Sequence, residues 1–278
     1  MPELKCPVCG AELSREERSL RCGKGHSYDI AKQNYVNLLM SNRSSAKRHG
    51  DDKLMVRARR DFLEKGYYLF LRDEICRLAA EYCGEEVEFL DAGCGEGWYT
   101  SAVKEALEGA GKNCSALGVD ISKEALAFAG KRDKSLSLAV ASINSLPVAD
   151  EKCNLLLNVF APHDDGEFRR VLKKGGILIK VMPLETHLFG LKKAVYDEPY
   201  LNGAAEYAPE GFEAVCRSEI RKMIHLETNE DIQNLFMMTP YYYKTGKSDQ
   251  EKLASLSYLE TEADFAVCVL RRSLTDIV

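Results

Sequence analysis

Residues 87–100, VEFLDAGCGEGWYT, decide how this chain folds. An apolar run reaches the acid Asp91, glycines follow at 93, 95 and 97, and a helix-like segment opens at once. Glycines in that position let the backbone come close to a ligand at the start of the helix. Further along, apolar runs alternate with amphipathic stretches: SALGVD at 115–120, LSLAVA at 136–141, NLLLNVFA at 154–161 and ILIKVM at 177–182. That alternation predicts an α/β domain built on an open, mostly parallel sheet with helices on both faces. Ligands are then expected at the carboxyl ends of its strands.

The glycine spacing narrows the ligand. A dinucleotide site wants G-x-G-x-x-G, so that a pyrophosphate can sit on the helix N-terminus. This loop reads G-x-G-x-G and holds Glu96, whose carboxylate would repel a pyrophosphate. The second strand ends in Asp120, 23 residues after Gly97, where a carboxylate can accept hydrogen bonds from ribose hydroxyls. DAGCGEG followed by such an acid resembles motifs I and II of the class I S-adenosylmethionine-dependent methyltransferases. The resemblance implies a Rossmann-like sheet that holds S-adenosylmethionine, with residues 142–146 near its adenine and KKGG at 173–176 leading into the fifth strand. The fourth strand runs out at Asn158-Val159-Phe160-Ala161-Pro162, which is not the DPPY or NPPF box of exocyclic-amine methyltransferases. N6-adenine chemistry is disfavoured.

Ahead of this domain, Cys6, Cys9, Cys22 and His26 form C-x2-C-x12-C-x3-H. Two close pairs joined by a short loop suit a tetrahedral zinc ion, and Gly10, Gly23 and Gly25 permit the tight turns at the two knuckles. Four protein ligands leave no open position for water, so the zinc is expected to be structural. A segment this small has little apolar area of its own and gains folding energy from a metal. Of the ten cysteines, others such as Cys76, Cys216 and Cys268 sit among apolar neighbours and read as small core residues.

Charge is divided unevenly along the 278 residues. Residues 1–60 carry 13 Lys+Arg against 7 Asp+Glu, a net of +6, whereas the remaining 218 carry 25 against 36, a net of −11. A polyanion should meet the N-terminal part first. Arg43, Lys47, Arg48, Lys53, Arg57, Arg59 and Arg60 are interleaved with Tyr28, Tyr35 and His49, with Tyr67 and Tyr68 just beyond, a mixture suited to phosphate contacts and base stacking. A solvated basic linker and helix is the plainer use of the same residues. There is no run of about 18 apolar residues and no apolar stretch in MPELKCPVCG, so neither a membrane span nor a signal peptide is expected, and the protein is placed in the cytoplasm. The expected division is a zinc-binding RNA-recognition domain at 1–40, a basic linker and helix at 41–80, and a methyltransferase domain at 81–278. Removal of residues 1–40 is then expected to abolish RNA methylation and spare donor binding.

Taken in order, CPVCG at 6–10, CGKGHSYDIAKQNYVNLL at 22–39, HGDDKLMVRARRDFLEKGYY at 49–68, DAGCGEGWYT at 91–100, NVFAPH at 158–163, PLETHLFGLK at 183–192, MMTPYYYK at 237–244 and TEADFAVCVLRR at 261–272 resemble the bacterial 23S rRNA (guanine-N1)-methyltransferases, which include the tylosin-resistance methyltransferases. The resemblance covers nearly the whole chain. It implies a zinc-binding domain that helps recognise an rRNA hairpin, a catalytic domain of the Rossmann type, and a homodimer whose cleft accepts 23S rRNA. It carries zinc binding onto Cys6, Cys9, Cys22 and His26, and contacts to S-adenosylmethionine onto Tyr68, Gly97, Trp98 and His187. The local reading of the glycine loop adds Gly93, Gly95 and Asp120.

Guanine N1 carries a proton at neutral pH that must leave as the nitrogen attacks, so a base or a stabiliser of the anion is needed. His163 and Asp164, just after the fourth strand, are the nearest titratable candidates, although Asp164 and Asp165 also suit the N-cap of a helix over GEFRRVL. Two other functional classes share these motifs: a zinc-anchored RNA-binding protein without turnover, and a methyltransferase of small molecules. The glycine loop and Asp120 count against the first, and the basic zinc segment against the second.

Overall fold

The computed structural model describes residues 3–40 and 52–275. The chain opens with three short antiparallel strands in the order β1-β2-β3: β1 (Leu13–Glu16), β2 (Ser19–Cys22) and β3 (Ser27–Asp29). A fourth, β4 (Tyr35–Asn37), leaves this unit and pairs in parallel with a strand of the large sheet. Helices α1 (Lys53–Glu64) and α2 (Leu69–Tyr82) come next. The alternating part follows as β5 (Glu86–Ala92), α3 (Trp98–Gly109), β6 (Asn113–Asp120), α4 (Lys123–Arg132), β7 (Ser137–Val140), β8 (Cys153–Val159), α5 (Asp165–Val171) and β9 (Leu172–Pro183). The last third holds α6 (Phe189–Val195), β10 (Phe212–Leu226), α7 (Asn229–Met237), α8 (Tyr241–Lys244), α9 (Lys247–Ala254) and β11 (Leu259–Arg272).

The eight-stranded sheet runs β10-β11-β9-β8-β5-β6-β7-β4. Every pair from β9 to β4 is parallel, and β11 and β10 close the other side as an antiparallel ribbon. From β5 the chain steps outward through β6 and β7, then returns to place β8 on the opposite flank of β5. That reversal leaves a crevice at the carboxyl ends of β5 and β8, the place where open α/β sheets bind ligands.

Strand alternation sorts the core onto two faces. Phe89, Leu155, Leu157, Ile177, Ile179, Phe265 and Val267 point to the face covered by α2, α3, α4, α6 and α7. Leu90, Leu156, Leu178, Ala266 and Leu270 point to the other. Helices lie on both faces, as expected: α5 covers the second through Phe168 and Val171, and the zinc unit shares that cover through Leu4, Leu13, Leu20 and Leu38. A bridge from Leu4 to Val148 and the hydrogen bonds Lys5 N to Pro147 O (2.9 Å) and Leu38 N to Val140 O (2.9 Å) fasten it there. The approach is close: a Cβ on Gly130 of α4 would lie 1.8 Å from the Gln33 carbonyl oxygen. Residues 35–37, within the segment expected to be a separate module, are therefore part of the catalytic sheet.

Candidate functional site

The zinc corner is built from two turns. Gly10 N donates to Cys6 O and Gly25 N to Cys22 O, so each pair of ligands lies on one tight loop, and both glycines take positive φ. The four ligand atoms of Cys6, Cys9, Cys22 and His26 lie within 4.8 Å of one another. Cys9 and Cys22 Sγ are 3.7 Å apart, and His26 Nδ1 is 3.5 Å from Cys6 Sγ and 3.3 Å from Cys22 Sγ. A tetrahedron with Zn–S bonds of about 2.3 Å has edges of about 3.8 Å, so three thiolates and one imidazole at these separations fit a closed structural zinc. Tyr28 Oη, 3.1 Å from Cys6 Sγ, orients that ligand from behind.

At the carboxyl end of β5, Gly93, Gly95 and Gly97 all adopt left-handed backbone. At Gly93 the reason is contact as well as conformation, because a Cβ there would lie 2.3 Å from Ala161 Cβ. Asp120 at the end of β6 holds this turn: Oδ2 accepts from Gly95 N at 2.9 Å, and Oδ1 accepts from Ser122 N at 2.8 Å, before α4 begins. Asp91 is buried; Thr100 Oγ1 donates to its Oδ2 at 2.6 Å, while its Oδ1 has no partner among the described residues. Burial pushes the Asp91 carboxyl up to about 7, helped by the neighbouring charges of Asp120 and Glu96. Burial also raises Glu96, opposed by Arg59. Glu96 Oε1, Tyr68 Oη and Tyr99 Oη are likewise buried without partners among the described residues. Buried polar atoms left open around a glycine cradle are what a polar ligand would satisfy.

An aromatic wall stands beside the cradle. Lys65 Nζ pairs with Asp231 Oδ1 at 2.5 Å and Tyr67 Oη donates to Asp231 Oδ2 at 3.0 Å, fixing the turn between α1 and α2 on α7. That turn delivers Tyr68 into the interior, where its ring meets Phe265 edge-on at 5.0 Å and lies 6.3 Å from His187. His187, 4.6 Å from Phe265, is 8% exposed, and its Nδ1 accepts from Asp264 N at 3.3 Å. Burial, with the Lys192 charge, drops its pKa to about 3, so the ring is neutral at physiological pH. Trp98 begins α3 directly after Gly97 and lies under the Arg72 guanidinium at 4.5 Å.

Across the crevice, Asn158 near the end of β8 is fully buried. Its Nδ2 donates to Ala92 O (2.8 Å) and Pro162 O (3.0 Å), and its Oδ1 accepts from Lys180 Nζ at 2.8 Å. Burial lowers the Lys180 pKa to about 8, and the ammonium lies 4.7 Å from the centre of the Tyr207 ring. Tyr207 Oη donates to Asp165 Oδ1 at 2.5 Å, and the exposed His163 ring stands edge-on to Tyr207 at 5.2 Å. Asp164 caps α5 by accepting from Glu167 N at 3.0 Å, so its carboxylate is engaged.

Contacts link the predicted residues across more than a hundred positions: Asp120 holds Gly95, Trp98 follows Gly97, and Tyr68 and His187 both meet Phe265, which reaches Phe160 beside the Ala161 that packs on Gly93. The fold adds Asp91, Asn158, Lys180 and Phe265, which the sequence reading did not single out as site residues. A buried Asn or Lys inside a strand pattern is the signal that could have marked two of them. Of the tyrosines read as a stacking surface, Tyr28 and Tyr67 are half-buried, with one hydroxyl at Cys6 and the other at Asp231. Arg43, Lys47, Arg48 and His49 lie outside the described residues. Of the rest, Lys53 pairs with Glu124, Arg60 pairs with Asp61, and Arg57 is exposed.

Comparison with known proteins covers both corners. The family described as "RlmA, N-terminal" matches residues 4–47, and the family described as "Methyltransferase domain" matches residues 89–176. A Streptomyces fradiae protein, the 23S rRNA (guanine(748)-N(1))-methyltransferase, is 36% identical over 232 residues, 81% of this chain and 80% of its own. A Bacillus subtilis protein provisionally named as a 23S rRNA (guanine-N(1)-)-methyltransferase, YxjB, is 30% identical over 273 residues, 95% of each chain.

Proposed function

Because this chain belongs to the family of the 23S rRNA (guanine-N1)-methyltransferases, we propose that the crevice between β5, β6 and β8 is where it transfers a methyl group from S-adenosylmethionine to N1 of a guanine in 23S rRNA. The protein is a methyltransferase with a zinc ribbon and a sheet of the Rossmann type. The observation that carries the assignment of the crevice is the glycine corner. Three left-handed glycines, a carboxylate clamping Gly95 and several open buried polar atoms lie at the reversal point of the sheet.

When bound, S-adenosylmethionine supplies an electrophilic methyl group on a cationic sulfur. The residues of this chain bind and orient. The Asp120 carboxylate is assigned the ribose hydroxyls, and Gly93, Gly95 and Gly97 let the donor lie against bare backbone. Tyr68, Trp98 and His187 wall the crevice from water. A His187 ring kept neutral by burial does not repel a cationic donor, and the Asp120 carboxylate attracts one. As the bond to N1 forms, the N1 proton must leave. His163 is the exposed titratable side chain on the acceptor rim, and it is assigned the proton, Asp164 being committed to its cap.

The zinc unit and the basic stretch after it are assigned to recognition of an RNA hairpin, with Arg57 exposed for phosphate. The same reading makes the protein a cytoplasmic homodimer. No helix among the described residues is long and apolar enough to cross a membrane. The test is mass spectrometry of 23S rRNA from cells with and without the gene, followed by methylation of the unmodified rRNA with purified protein. A new methylguanine restored by the protein is expected, and transfer only to a free small acceptor would overturn the reading.

A further inference from the structure

Phe160 follows β8 at its carboxyl end with φ +53, in the left-handed region that disfavours any side chain bearing a Cβ. Packing does not account for that strain, because the residue is 46% exposed. Its one ring contact among the described residues is a tilted approach to Phe265 at 5.3 Å. Phe265 in turn touches Tyr68 and His187, so a row of rings runs from the buried wall of the crevice to this open edge.

The loop bearing Phe160 is held from three sides. Asn158 ties Pro162 O to Ala92 O, the last residue of β5, and is itself held by Lys180. Ala161 presses into the space that only a glycine at 93 leaves free. Asp164 fixes the far end as the cap of α5. A strained residue persists where its surroundings over-determine it, and such residues gather where a ligand is gripped. A flat, half-bare ring at the carboxyl end of the strand beside the donor cradle fits a planar aromatic ligand.

We propose that Phe160 is the stacking platform for the target guanine, receiving the base on its exposed face after the base leaves its own stack. This rests on the reading of the protein as an rRNA guanine methyltransferase. A base must be unstacked before an enzyme can reach its ring nitrogen, and aromatic side chains commonly hold the unstacked base. The rigid loop then sets the plane of the base against the donor cradle.

Two variants test it in the full-length zinc-loaded protein. Phe160→Gly removes the ring and also relieves the left-handed strain, so thermal stability should hold or rise while kcat/KM for unmodified 23S rRNA falls about ten- to a hundredfold. Affinity for S-adenosylmethionine should stay unchanged. Phe160→Tyr, which keeps a ring to stack on, should retain most of the activity. Stability falling in step with activity in the glycine variant would mark Phe160 as a packing residue and overturn the proposal, as would wild-type turnover by that variant. Failure of the wild-type protein to methylate rRNA would overturn the functional reading and this inference with it, whereas failure of the variant alone to lose activity sinks only the inference.

Discussion

Both the zinc corner and the glycine corner use left-handed glycines to bring polar groups together, yet they are assembled in opposite ways. The zinc corner collects its four donors from within 21 residues, each pair on a single turn, and its glycines stand in open space. The glycine corner draws on positions from 68 to 265, and its critical glycine is wedged against a loop from another strand. One site is set by neighbouring residues on two turns; the other is set by strands and loops that the sheet brings together. The zinc unit nevertheless shares a core with the sheet, so the local site also bears on the distant one.

The largest expected effect tests that coupling. Cys22→Ser should release the zinc, and since structural zinc supplies on the order of 10 kcal/mol of folding free energy in small modules, the unit covering Leu90, Leu156 and Leu178 should come loose. Elemental analysis with a thermal melt should show metal loss and destabilisation of the whole protein in one transition. An unchanged melting of the methyltransferase part would break the coupling. By the same reasoning, removing residues 1–40 strips β4 and one cover of the sheet, so the truncated chain should bind donor poorly even though recognition of RNA was the only role expected for it.

Glycine replacement sharpens the contrast between the corners. Gly93→Ala adds a clash with Ala161 to the conformational cost and should lose about 2–4 kcal/mol, whereas Gly10→Ala, with φ +71 and nothing within 4 Å, should lose about 1–2. Equal losses in chemical denaturation would mean that the Ala161 contact relaxes freely. Asp120→Ala removes charge-assisted hydrogen bonds worth about 1.5–3 kcal/mol, or roughly ten- to over a hundredfold in donor affinity. Because the carboxylate also holds Gly95, Asp120→Asn should recover part of the loss. Calorimetry showing no change in the alanine variant would place the donor elsewhere.

At neutral pH the last effect is silent, and it emerges only on acidification. The folded His187 pKa, about 3, lies below its unfolded value of about 6.5. The unfolded state therefore binds the proton first on acidification. Stability contributed by neutral burial of His187 is present above about pH 6.5 and is lost as pH falls toward 3, at up to about 1.4 kcal/mol per pH unit. His187→Gln keeps an acceptor for Asp264 N and should flatten the profile between pH 6 and 4. If the wild-type and variant slopes coincide there, the ring is not buried neutral.

What could be read from the chain alone was whatever neighbouring residues determine among themselves. Ligand spacing set the zinc knuckles, because two residues three or four apart can face one ion across a tight turn. Apolar periodicity and the glycine loop marked the strand, turn and helix of the donor corner, because conformational preference acts over a few residues. The tertiary structure decided the rest. It placed β4 in the catalytic sheet, laid the zinc unit beside α5 on the second face, gave the Tyr28 and Tyr67 hydroxyls partners at Cys6 and Asp231, and set Phe265 between Tyr68 and His187. Those outcomes depend on which distant apolar faces bury one another, a choice made by the whole chain closing on one core and invisible to any short window of sequence.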